Sequence, residues 1–259
     1  MMLGMPTLIE AENIENCAKL CKELGLNFIE LNMNIPQYNS EHIDIHKLKQ
    51  ISEKYDIFYT FHIDENLNPW DFNNTISNAY TQIAIETIEI AKQLEGSIIN
   101  IHMTSGVYFT LPDKKTYLYE KYSDKYLQRT REFSHKCKQA ISESQIKICI
   151  ENSDGFRCFQ KKALEIFLAN HCFYLTFDIG HNYSIGNLDE NFILDHKNKI
   201  IHMHFHDANN KKNHIPLGMG EIDLLKYFDL AKKLKSTIVL EAKTINGLKE
   251  SVNWIKNNL

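Results

Sequence analysis

At 259 residues with a formal charge of −4, the chain is long enough for one large domain or two small ones, and it lacks the basic excess usual in proteins that live on nucleic-acid phosphate. Its 43% hydrophobic and 24% charged residues describe a globular protein able to bury a sizeable core. No apolar run reaches the roughly 18 residues of a membrane-crossing helix and no basic region precedes the apolar residues near Met1, so the expectation is a cytoplasmic protein without a membrane partner.

Taken in order, short β-rich runs alternate with longer segments of helical period. The predicted strands are 2–6, 27–31, 57–62, 98–102, 146–151, 173–178, 199–206 and 237–241, and the predicted helices are 14–24, 46–55, 75–94, 116–142, 161–169, 187–196, 222–234 and 247–258. Strand–helix alternation repeated eight times predicts a parallel sheet closed into a single-domain α/β architecture, a (β/α)8 TIM barrel over residues 1–259. A doubly wound open sheet ranks below it, because no GxGxxG follows an early strand. The turn-rich stretches 66–74 and 207–213 sit between periodic segments and do not read as linkers. Cys17, Cys21, Cys137, Cys149, Cys158 and Cys172 form no CxxC and are read as reduced, structural thiols.

The seventh predicted strand carries the strongest chemical signal. Ile201, Met203 and Phe205 alternate with His202, His204 and His206, then come Asp207, His214 and two glycines. A strand apolar on one face and lined with imidazole on the other fits a metal or catalytic site better than an ordinary half-exposed strand. Five other strand ends agree: His62 with Asp64, His102, Glu151 with Asn152, Asp178 with His181, and Glu241 with Lys243. In a barrel, the carboxyl ends of all strands meet around one mouth. Glu151, Asp178, His204 and Glu241 each lie about one βα unit apart, and three carboxylates with one imidazole suit Mn²⁺, Mg²⁺, Co²⁺ or Zn²⁺ with positions open to substrate oxygens. Singly, an acid at a strand end can cap the next helix, as Asp178 or Asp207 is placed to do, and a lone Glu can be a rim residue. Four such ends in correct order resist that reading.

Together, Ile150-Glu151-Asn152, the Asp178-x-x-His181 turn, His204-x-His206-Asp207, the following His214-x-Pro216-Leu217-Gly218-x-Gly220-x-Ile222-Asp223 and the closing Leu240-Glu241 resemble the xylose isomerase-like barrel superfamily, from strand three to strand eight. That superfamily holds sugar and sugar phosphate isomerases and epimerases, and also apurinic-site endonucleases. The resemblance implies a metal-dependent sugar isomerase or epimerase of carbohydrate metabolism. Glu151, Asp178, His204 and Glu241 would be the metal ligands, and Glu151 and Glu241 also the acid and base of proton transfer through an ene-diolate. His62, His102, His181, His206, His214 and Lys243 are then the candidate substrate-binding residues. Asn210, Lys211 and Lys212 stand where ketose epimerases typically place an arginine, so the usual bidentate grip is absent. The alternative is a zinc-dependent apurinic-site endonuclease. Its trinuclear ligands would map to His62, His102, Glu151, Asp178, His181, His204, His214 and Glu241, but Lys212 replaces the acid of the third zinc, where a cation opposes another divalent ion.

Other candidates have two readings each. Glu30 and Asn32 end strand two and could touch substrate hydroxyls or be rim residues; Trp70 could wall the pocket. The aromatic cluster around Tyr108, Phe109, Tyr117, Tyr119, Tyr122 and Tyr126 reads as partly core, with a lid or the dimer face of a homo-oligomer as the alternative. The expected partner is a small sugar or polyol.

Overall fold

Eight short parallel strands, each paired on both edges, form the closed interior of the molecule and leave no open edge. A computed structural model describes residues 1–210 and 212–259. The barrel strands are β1 (Leu3–Pro6), β2 (Phe28–Asn32), β3 (Phe58–His62), β4 (Ile98–His102), β5 (Lys147–Glu151), β6 (Phe173–Asp178), β7 (Ile200–Phe205) and β8 (Thr237–Leu240). β1 closes the ring by pairing with both β2 and β8. The predicted TIM barrel is the observed fold.

The strands form because their outward residues are aliphatic or aromatic, while most inward residues toward the mouth are polar. Ile99 and Ile101, Leu175 and Phe177, and Met203 and Phe205 are buried under the helices. Between them stand Asn100 and His102, Thr176 and Asp178, and His202 and His204, facing the barrel lumen in two layers two residues apart along each strand. Helices complete the outer layer with apolar stripes at helical spacing, as with Ile14, Cys17, Ala18 and Cys21 of the helix Ile14–Glu23. Each aliphatic side chain so buried contributes about 1.5–3 kcal/mol of transfer free energy. Local signals set the starts: the side chains of Asn13, Asp44, Asp223 and Thr244 each accept a backbone N–H of the helix that follows.

The structure departs from the predicted elements in three places. Residues 116–142 are not one helix. Lys115–Tyr117 pairs antiparallel with Tyr108–Thr110, a single turn spans Leu118–Lys121, and the long helix is Ser123–Ile141. Tyr122, at φ −113° and ψ 42°, breaks the run, and the cross-strand Tyr108–Tyr117 pair, with ring centroids 5.2 Å apart, holds the hairpin. A short helix, Ile179–Ser184, follows β6, where none was predicted. The seventh strand ends at Phe205, and the chain then forms a second hairpin, Asp207–Asn209 with Lys212–Ile215.

Trp70 is fully buried. It stacks on Tyr126 at 5.3 Å and donates Nε1–H to Thr130 Oγ1 at 3.0 Å, so it is core and not a pocket wall. Tyr119 and Tyr126 are also core, while Tyr108, Phe109 and Tyr122 are exposed. The six cysteines are free, and all but Cys158 are buried. Among the described residues no helix is long and apolar enough to cross a membrane.

Candidate metal centre

At the carboxyl end of the barrel, strand register sets neighbours side by side: Asp178 on β6 pairs with His204 on β7, and Glu151 on β5 with His102 on β4. Donor atoms of Glu151, Asp178, His204 and Glu241 all lie within 4.8 Å of one another. His204 Nδ1 stands 3.3 Å from Glu151 Oε1, 3.6 Å from Glu241 Oε2 and 4.0 Å from Asp178 Oδ2. Glu151, Asp178 and His204 are essentially sealed from solvent, and the Glu241 side chain is 12% exposed.

The hydrogen bonds are incomplete in one specific way. His204 Nδ1, Asp178 Oδ2 and Glu241 Oε2 are buried atoms with no hydrogen-bond partner. Buried polar groups are almost always paired, so unpaired atoms converging on one point mark a place built for something else. Three carboxylates converge on one imidazole nitrogen, a donor set that fits a divalent cation. Asp178 shows how one residue serves two ends. Its Oδ1 accepts the backbone N–H of His181 at 2.6 Å, capping the short helix, which leaves Oδ2 free toward the cradle.

Imidazoles surround the carboxylates. His62 donates Nδ1–H to the Ile63 carbonyl at 2.9 Å, which turns Nε2 to Glu151 Oε2 at 3.4 Å; His102 Nε2 is 3.1 Å from the same oxygen. His181 Nδ1 lies 3.3 Å from Asp178 Oδ2. Burial alone would lower the basicity of His62 and His181, but the acids beside them win: Glu151 raises His62 to about 9, and Asp178 with Glu151 raises His181 to about 10. Conversely, burial would raise Glu151 and Asp178, yet His204 and His102 hold Glu151, and His181 and His206 hold Asp178, well below the usual carboxylate range. His214 goes the other way, burial pressing it down to about 4. Without a metal, protonated imidazoles thus supply the charge that the acids require.

The residues expected to touch substrate divide. A cavity of about 720 Å³ opens beside the centre, and His62, Glu241 and Lys243 line it together with Asn32, Asn34 and Gln37. Lys243 Nζ holds Glu241 Oε1 at 2.8 Å. His102, His181, His206 and His214 gather around the carboxylates instead. His206 is fully buried; its Nδ1 lies 2.9 Å from the backbone N of His214 and 3.3 Å from the Asp207 carbonyl oxygen, and its Nε2 lies 3.1 Å from Asp178 Oδ1. Gly180 leaves room for that ring, since a Cβ there would run into it. Asp207 takes the backbone N–H groups of Ala208, Gly218, Gly220 and Ile222 and staples the loop. Lys212 is exposed at the rim, and Lys211 lies outside the described residues.

Sequence reasoning missed the layer beneath. Glu30 is buried, with Oε2 accepting His202 Nε2–H at 3.0 Å and Thr60 Oγ1–H at 3.3 Å; it is not a rim residue, although the 720 Å³ cavity reaches it. Thr176 donates to Asn100 Oδ1 at 2.6 Å, and Asn100 donates to Glu151 Oε2. The available signal was polarity two residues before each mouth residue.

The family described as xylose isomerase-like TIM barrel matches residues 18–258. An uncharacterised protein of Methanocaldococcus jannaschii is 24% identical over 216 residues, 81% of each chain. Among solved structures, a D-tagatose 3-epimerase-like protein superposes with a TM-score of 0.81 at 22% identity, over 99% of this chain and 96% of that one. The apo 3-keto-D-glucoside 4-epimerase of E. coli superposes at 0.80 with 14% identity, over 99% of both.

Proposed function

Because the chain belongs to the xylose isomerase-like TIM barrel family, we propose that it is a divalent-metal-dependent epimerase or isomerase of a sugar or sugar-like polyol. The observation that carries the reading is the cradle of unpaired atoms on Asp178, His204 and Glu241, beside Glu151 and at the edge of the 720 Å³ cavity. The epimerase names of the two solved structures support it. Glu151, Asp178, His204 and Glu241 would hold one ion, with Mn²⁺, Mg²⁺, Co²⁺ and Zn²⁺ suited to the donor set. When bound, the ion supplies Lewis acidity that polarises a carbonyl and the hydroxyl next to it.

The chain's own residues then move protons. Glu241 forms part of the cavity wall; its buried Oε2 is turned to the ion, so Oε1, beside Lys243 Nζ, is the oxygen left to take a carbon-bound proton. Glu151 is the second carboxylate of the ene-diolate pathway, exchanging its proton through Nε2 of His62 or His102, both within 3.4 Å of Oε2. Asn32, Asn34 and Gln37 offer amides to hydroxyl groups. Glu12, Glu30, Glu65 and Glu241 outnumber Lys243 and the raised His62 on the same walls, and that balance favours an uncharged polyol over a phosphate ester.

The test is isotope exchange. Metal-loaded protein in D₂O with a panel of ketoses and ketose phosphates is expected to place deuterium on the carbon beside the carbonyl of an unphosphorylated substrate. Glu241→Gln should abolish exchange while the sugar still binds. No carbon deuteration anywhere in the panel would overturn the reading.

A zinc phosphodiesterase acting on abasic DNA is the second reading, favoured by two more clusters of potential ligands, His62–His102–Glu151 and His181–His206–His214. Incision of an abasic duplex, with three zinc ions per chain, would select this alternative.

A further inference from the structure

Glu30 has no role in the proton transfer proposed above, yet it is a buried acid in direct reach of a proposed ligand. Its carboxylate is 2% exposed and bridges two imidazoles: Oε2 accepts His202 Nε2–H at 3.0 Å, and Oε1 lies 3.0 Å from His204 Nε2, off the straight line of an ideal hydrogen bond. The far side of His202 is closed as well, with Nδ1 2.6 Å from Thr237 Oγ1.

We infer that Glu30 is a positioning residue for metal binding: the carboxylate fixes the proton of His204 on Nε2 and so presents the Nδ1 lone pair to Glu151, Asp178 and Glu241. The chain of contacts has only one consistent polarity. One oxygen of the Glu30 carboxylate accepts from Thr60 and faces His202 Nε2, and the imidazole nitrogen 3.0 Å from its other oxygen is the one placed to carry a proton toward it. For His204 that nitrogen is Nε2, and a neutral ring then has its lone pair on Nδ1, the atom 3.3 Å from Glu151 Oε1. A carboxylate behind a ligating imidazole also raises its donor strength. The same reasoning separates this cluster from the others: Glu30, His202 and His204 are close enough to hold an ion, but Thr60, His202 and His204 already use the carboxylate oxygens.

The inference rests on the reading that Glu151, Asp178, His204 and Glu241 share an ion, and the experiment separates the two. Mn²⁺ is titrated into metal-free wild type, Glu30→Gln and Thr60→Val, with circular dichroism confirming that each is folded. An amide offers one oxygen to two N–H donors, so Glu30→Gln should weaken Mn²⁺ binding by about 10–100-fold, whereas Thr60→Val, which keeps both imidazole contacts, should change it less than about threefold. In Zn²⁺-loaded, ¹⁵N-histidine-labelled wild type, NMR should find the His204 proton on Nε2, and Glu30→Gln should shift or broaden that signal. Wild-type affinity in Glu30→Gln, or a His204 proton on Nδ1 in the Zn²⁺ form, would overturn the positioning role alone. A wild type that binds no Mn²⁺ would overturn the metal-site reading and this inference with it.

Discussion

Two layers of the barrel lumen, two residues apart on the same strands, both carry buried polar side chains, yet they differ in completeness. In the lower layer Thr60, Glu30 and His202 form one hydrogen-bonded chain, and Thr176 and Asn100 another that ends on Glu151. In the mouth layer, His204 Nδ1, Asp178 Oδ2, Glu241 Oε2 and His102 Nε2 have no partner. Polarity inside a barrel is therefore compatible with a purely supporting role. What marks the mouth is convergent atoms left unpaired, because each costs about 1–3 kcal/mol when buried without a partner and persists only if something else repays it.

The largest effect should come from breaking the mouth. With Mn²⁺ at about a hundred times its dissociation constant, binding to the native state alone stabilises wild type by about 2.7 kcal/mol, and at about 2–4 °C per kcal/mol for a chain of this size the melting temperature should rise by several degrees. Asp178→Asn should lose most of that rise, as measured by scanning calorimetry with and without the ion. A full Mn²⁺ shift in the variant would mean that Asp178 Oδ2 is unpaired for another reason.

An intermediate effect should follow pH. His62 and His181 are raised to about 9 and about 10 in the folded protein, against about 6.5 in an unfolded chain. Their contribution to stability is thus fully present below about pH 6.5 and disappears as pH rises through the folded values. Metal binding displaces those protons, so it strengthens with pH. Melting curves of chelated and metal-loaded protein should therefore diverge between pH 6.5 and 9, the chelated form falling; parallel curves would contradict protonated imidazoles at the mouth.

The smallest effect belongs to Thr176 in the lower layer. Thr176→Val removes the donor to Asn100 Oδ1 and should cost about 1–3 kcal/mol with or without metal, while the Mn²⁺ dissociation constant changes less than about threefold. A collapse of metal affinity at unchanged stability would erase the distinction between the layers.

The barrel was legible because outward apolar residues alternate with inward polar ones and helical segments intervene, a pattern that local physics writes strand by strand. The mouth set was legible for the same reason, since each member ends a strand. What escaped was anything decided between strands. Glu30 looked like a rim acid because nothing in β2 reveals that its carboxylate meets His202 and His204 on β7. His206 looked like a third member of one imidazole face, but the strand ends at Phe205 and the His214 backbone claims its ring. Residues 116–142 read as one helix because their apolar spacing is helical, whereas Tyr117 is held by pairing with Tyr108, a contact invisible to periodicity.

The central claim is that the unpaired mouth atoms hold one divalent ion. Its most direct test is elemental analysis of wild type and His204→Ala after equilibration with Mn²⁺ and with Zn²⁺ and removal of the free ion. One ion per chain in wild type and almost none in His204→Ala is the expected result. Equal metal content in both proteins, or none in wild type, would contradict it.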